Sequence, residues 1–121
     1  MLKKHTISFK NAFAGVFWAL KTQPNYKVHL FFSFLALIGA WFLKVSYVEF
    51  LIIVLLITAG LTIETINTAI EVTTDAIEKK WNEDIKVAKD TGAASMLFFA
   101  AGAFLIACII FIPKLILLFS K

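Results

Sequence analysis

The sequence predicts an all-α membrane protein: an N-terminal amphipathic surface helix followed by three transmembrane helices. Three observations carry this. The 121-residue chain is 60% hydrophobic, with a mean hydropathy of +0.86. Only 17% of it is charged, against about a quarter in soluble domains. Its apolar residues gather in long runs at 28–43, 48–63 and 93–112. A chain this short buries a limited core in water, so lipid is the better solvent for so much apolar surface. One domain, 1–121, accounts for the whole length.

Residues 1–23 read as an interfacial helix. Phe9, Phe13, Val16, Phe17 and Leu20 share one helical face, with Lys3, Lys4, Lys10 and Lys21 around it. Such a helix lies on an anionic leaflet. Lys10 and Asn11 interrupt the apolar run and no small-residue cleavage site follows, which excludes a cleaved signal peptide. Gly15 and Trp18 lie on the far side near Asn11, and that side is expected to pack on protein.

Pro24 ends this helix, because proline disfavours helix at the residue before it. Residues 28–43, with a residue or two of flank, cover a bilayer core of about 30 Å. His29, at the start of this span, reads as an interface histidine. Residues 44–49 are turn-like, flanked by Trp41 and Tyr47 as an aromatic interface pair. The second span, 48–63, runs on into helix-compatible sequence to about Lys80. Residues 64–90 are therefore a helix extension and loop outside the membrane, with 81–90 a polar connection. The third span, 93–112, is closed by Pro113 and Lys114. Gly92, Ala93, Ala94, Ser95, Ala100, Ala101 and Gly102 are small enough for close helix approach. Cys108, the lone cysteine, reads as a packing residue in an apolar run.

Lysine placement sets the orientation. The segments before the first span and between spans two and three carry nine lysines, against three on the opposite side. The positive-inside rule then puts the N-terminus in the cytoplasm and the C-terminus outside. All twelve basic residues are lysine. Without arginine for bidentate phosphate or base recognition, and with no soluble basic module, nucleic acid is not an expected partner.

The chemistry gathers around residues 63–75. Glu64, Asn67, Glu71, Asp75 and Glu78 fall on one helical face. That stripe starts at the cytoplasmic end of a span and climbs out of it. Ionisable groups at membrane depth are costly and mark functional sites. Like charges repel along a helix, so a cation is expected to compensate, and Mg²⁺ typically uses one or two carboxylates plus substrate phosphates. A second cluster, Ala88-Lys89-Asp90-Thr91-Gly92, adds a cation for phosphate at the same level. Glu78, Lys79, Lys80, Glu83, Asp84 and Lys86 read as a solvated face. The combination suits phosphoryl transfer to a lipid alcohol, where positioning and electrostatics supply most of the catalysis. A small multi-span transporter or a non-catalytic membrane assembly protein stays open on the residues alone. No Gly-x4-Gly-Lys-Ser/Thr or Gly-x-Gly-x-x-Gly motif is present.

The run Glu64-x-x-Asn67-Thr68-Ala69-Ile70-Glu71-x-x-x-Asp75 resembles the signature of the prokaryotic diacylglycerol kinase family, which includes undecaprenol kinases. Ala88-Lys89-Asp90-x-Gly92-x-Ala94 resembles its second motif, and the likeness covers essentially the whole chain. The resemblance implies a homotrimer in the bacterial inner membrane that uses ATP with Mg²⁺ to phosphorylate a lipid alcohol. It implies Glu64 as general base and Glu71 as a metal carboxylate. It implies Asn67, Asp75, Lys89 and Asp90 at the nucleotide, with Lys10 and Asn11 on a surface helix closing over it. Asn11 stands where the family often has Tyr. Gln23 stands where many members have a Glu that shares the metal, so it offers Mg²⁺ an oxygen without a charge. The run Asn25-Tyr26-Lys27-Val28-His29 is more similar to the undecaprenol branch than to the diacylglycerol branch.

Overall fold

The computed structural model describes the backbone of residues 2–120 and the side chains of residues 7–120. Lys121 and the side chains of Lys3 and Lys4, which enter the charge count above, lie outside the described residues. Four helices follow one another: α1 (Leu2–Thr22), α2 (Pro24–Phe42), α3 (Tyr47–Ile77) and α4 (Glu83–Phe119).

The joints follow from local chemistry. Gln23 is extended, with φ −101° and ψ 111°, and Pro24 takes the first helical position, where its missing N–H costs nothing. The α2–α3 turn is a Schellman motif. Val45 N–H bonds to Ala40 and Lys44 N–H to Trp41, closing the last carbonyls of α2. Lys44 adopts φ 50° there, the left-handed position usually given to glycine, at a cost of about 1–2 kcal/mol. Ser46 then opens α3 through a capping box: Glu49 N–H donates to Ser46 Oγ, and Ser46 N–H donates to Glu49 Oε2 at 2.6 Å. The same carboxylate meets Lys114 Nζ of α4 at 3.0 Å.

Two sequence expectations about α4 are corrected. The stretch 81–90 is not wholly a connection, because α4 begins at Glu83. Asn82 Oδ1 accepts from the Asp84 and Ile85 amides, and Glu83 and Asp84 complement the helix dipole. Nor does Pro113 close the helix, which runs through it to Phe119. Proline costs the Ile109 carbonyl its amide. In an apolar setting, leaving the helix would orphan still more backbone groups.

Helices α3 and α4 pack most closely; α2 packs on α3, and α1 on both α2 and α3. Ala40, Ile53 and Ile110 form the buried centre, ringed by Ala36, Ile57, Ile106 and Phe111. Gly60 lets the Phe99 ring lie against the α3 backbone; a Cβ there would stand 2.6 Å from it. Gly102, from the same small-residue set as Gly92, faces open space.

The outward surface is apolar. Trp41, Phe98 and Phe104 are 82%, 79% and 73% exposed, a pattern that calls for lipid as the surrounding solvent. Helices α3 and α4 are long and apolar enough to cross a membrane. At 1.5 Å per residue they run about 46 and 55 Å, so both project beyond a core of about 30 Å. α2, the first expected span, has 19 residues and carries Asn25, Lys27 and His29 in its first two turns.

Candidate functional site

The acidic stripe lies where α3 meets the first turns of α2 and α4. Burial falls along it in sequence order. Glu64 is 3% and Asn67 4% exposed, Glu71 is half-buried and Asp75 exposed. The helical period puts these side chains on one face, and the neighbouring helices cover its deep end.

At the deep end, α2 supplies the partners. The Asn25 side chain lies beside the Glu64 carboxylate. His29 Nε2 stands 3.9 Å from Glu64 Oε2, too far for a direct hydrogen bond. Tyr26, itself buried, shares a hydrogen bond with Thr65 Oγ1 and so pins α2 to α3 beside Glu64. Sequence reasoning did not place Asn25 and His29 in the site. Their i, i+4 spacing puts them on one face of α2, and that was the available signal.

Further out, Asn67 Nδ2 donates to Glu71 Oε1 at 3.1 Å. Asn67 Oδ1 is buried without a hydrogen-bond partner and lies against Gly92 of α4. Lys89, on the same face of α4, forms an ion pair with Asp75. The second sequence cluster thus meets the first through Lys89 and Gly92. Asp90 pairs instead with Lys86 of its own helix. Lys10 and Asn11 are exposed on α1. Gln23 sits at the α1–α2 joint, its amide 3.5 Å from Thr22 Oγ1. Among the described residues no hydrogen bond or ion pair joins these last four to the stripe.

No group of three or more His, Cys, Asp or Glu side chains able to hold a metal ion occurs among the described residues. The donor set is one half-buried carboxylate, Glu71, held on one oxygen by the Asn67 amide N–H, while Asn67 Oδ1 is buried against Gly92. Such a set suits a hard cation that brings phosphate oxygens and water with it.

An apolar groove of about 760 Å³ opens beside this site. It runs between α2, α3 and α4, from His29 at one end to Leu43 and Leu115 at the other. Its walls include Phe32, Gly60 and Phe99. His29 therefore belongs to both the groove and the carboxylate site.

Comparison with known proteins gives this geometry a family. The family model described as prokaryotic diacylglycerol kinase matches residues 10–111. The chain is 36% identical to an undecaprenol kinase of Bacillus subtilis over 108 residues, which is 89% of this chain and 88% of the relative. It is 29% identical to a diacylglycerol kinase of Synechocystis over 111 residues, covering 91% of this chain and 63% of that protein. The chain belongs to the prokaryotic diacylglycerol kinase family and is a membrane lipid kinase.

Proposed function

We propose that the chain transfers the γ-phosphoryl group of ATP to the terminal hydroxyl of a long prenyl alcohol of the undecaprenol class. Diacylglycerol is the second candidate, on the likeness to the Synechocystis enzyme. The prenol reading has broader support: the Bacillus subtilis relative is more similar over nearly the full length of both chains.

One observation carries the proposal. Glu64, buried at 3% exposure, sits beside the polar end of an apolar groove. Glu71, Asp75 and Lys89 follow outward. A prenyl tail in the groove brings its hydroxyl to His29 and Glu64. Glu71 lies seven residues, about 10 Å, further along the helix, on the side from which a nucleotide arrives.

In the proposed reaction the lipid oxygen attacks the γ-phosphorus, the bond to the bridging oxygen of ADP breaks, and Glu64 accepts the hydroxyl proton. Asn25, beside the Glu64 carboxylate, would orient it. Lys89, already ordered by Asp75, offers its ammonium to the phosphates. Glu71 and the Gln23 amide are the groups that would hold Mg²⁺, with the Asn67 amide fixing the Glu71 carboxylate beside the nucleotide. The ion supplies charge neutralisation on the phosphates when bound. Lys10, Asn11 and Asp90 complete the proposed nucleotide contacts through α1 and the start of α4. The working form is proposed to be a homotrimer in the bacterial inner membrane, with α2 as the third span and the N-terminus in the cytoplasm.

The test is ATP consumption by the purified protein in micelles, with undecaprenol or diacylglycerol added in turn. Faster phosphorylation of undecaprenol is expected. A preference for diacylglycerol would reassign the substrate, and no lipid-dependent turnover with either would remove the proposal.

A further inference from the structure

Gly92 lies three residues after Lys89 on α4, and both face α3: Lys89 pairs with Asp75, and Gly92 abuts Asn67. A Cβ built at Gly92 would stand 2.5 Å from Asn67 Oδ1, so something would have to shift. The obstacle is not a free side-chain tip. Asn67 is 4% exposed, and its Nδ2 is committed to Glu71 Oε1 at 3.1 Å. Turning the amide away from an added methyl group would take that nitrogen off the carboxylate. The Gly92 Cα hydrogen points where such a Cβ would stand. The otherwise unpartnered Oδ1 therefore faces the bare Gly92 backbone.

We propose that Gly92 is a positioning residue for Glu71. The bare backbone of α4 sets the Asn67 amide, and the amide sets the carboxylate. With Oε1 held by Asn67, the other oxygen of Glu71 keeps a fixed direction toward a cation. Asn67 thereby acts through Glu71 as well as on any nucleotide. The inference rests on the reading of Glu71 as the metal carboxylate. It assigns the glycine of the second motif to the first motif's chemistry, and not to close helix packing alone.

The experiment titrates Mn²⁺ by electron paramagnetic resonance into the full-length protein in micelles, with a non-hydrolysable ATP analogue present. The variants are Gly92→Ala, Asn67→Ala, the double variant and Glu71→Gln, with lipid KM measured on each preparation. Gly92→Ala and Asn67→Ala are each expected to weaken Mn²⁺ binding about tenfold, the usual scale for an outer partner of a metal ligand. The double variant should be no weaker than either single, because both break one link. Lipid KM should stay unchanged. Native Mn²⁺ affinity in Gly92→Ala, or additive losses in the double variant, overturns the inference. Native affinity in Glu71→Gln removes the metal reading and the inference with it. Weak binding in Glu71→Gln beside native binding in Gly92→Ala removes the inference alone. If Gly92→Ala does not fold, folding of the double variant, which lacks the obstructing carbonyl, supports the link. Failure of both to fold overturns it.

Discussion

Asp75 of α3 and Lys89 of α4 form an ion pair that joins the two sequence motifs across a helix boundary. Both side chains are partly open to solvent, where such pairs contribute about 0–1 kcal/mol. Lys89→Met should therefore leave thermal stability nearly unchanged. If the ammonium is a phosphate ligand, the same change should raise the KM for ATP about tenfold or more, the scale of a charged hydrogen bond. Melting curves and ATP kinetics on one preparation separate the two. A large fall in melting temperature with unchanged ATP KM would make the pair purely structural.

Glu71→Gln should abolish turnover at saturating Mg²⁺ while leaving the proposed trimer intact by size-exclusion chromatography. The carboxylate is half-buried and already holds the Asn67 amide. A glutamine keeps the shape and loses the charge a hard cation needs. Native activity in the purified variant would end the metal assignment.

Glu64→Gln should cut lipid phosphorylation by roughly 10²-fold or more, as expected for a lost general base. ATP affinity should change little, since Glu71, Asp75 and Lys89 remain. A collapse of ATP affinity along with turnover would make Glu64 a nucleotide or metal residue. Persistent turnover would make it a structural seam residue.

The proposed orientation predicts labelling from outside the cell. A Lys121→Cys variant in a Cys108→Ala background should react with an impermeant thiol reagent on intact cells. Protection until lysis would invert the topology and with it the cytoplasmic ATP site.

The α3 stripe was legible in the sequence because a single helical period generates it: Glu64, Asn67, Glu71 and Asp75 need no knowledge of other helices. Asn25 and His29 were not, since their meaning depends on which face of α3 the first turn of α2 meets. Pro113 was misleading for a related reason. Its local preference is to end a helix, yet the surrounding backbone has no better hydrogen-bond partners than a continued helix. Gly92 and Gly102 look alike in sequence, and only packing separates the glycine against Asn67 from the one facing open space. At the α2–α3 turn the sequence showed only a turn-like segment; the Ser46–Glu49 capping box emerged from the structure, and the left-handed Lys44 carried no residue-type signal.

The Glu49–Lys114 pair fixes a depth gauge along α3. Glu64 follows Glu49 by fifteen residues, or about 22 Å of helix, less than a hydrocarbon core of about 30 Å. With Glu49 and Lys114 placed at one surface, Glu64 would lie several ångströms below the other. A neutral alcohol can sink to that level. In the proposed reaction a phosphorylated head group would be better solvated at the surface than at that level. The product would then be drawn outward by its own hydration, so the burial proposed to bring substrate and carboxylate together would also favour its release.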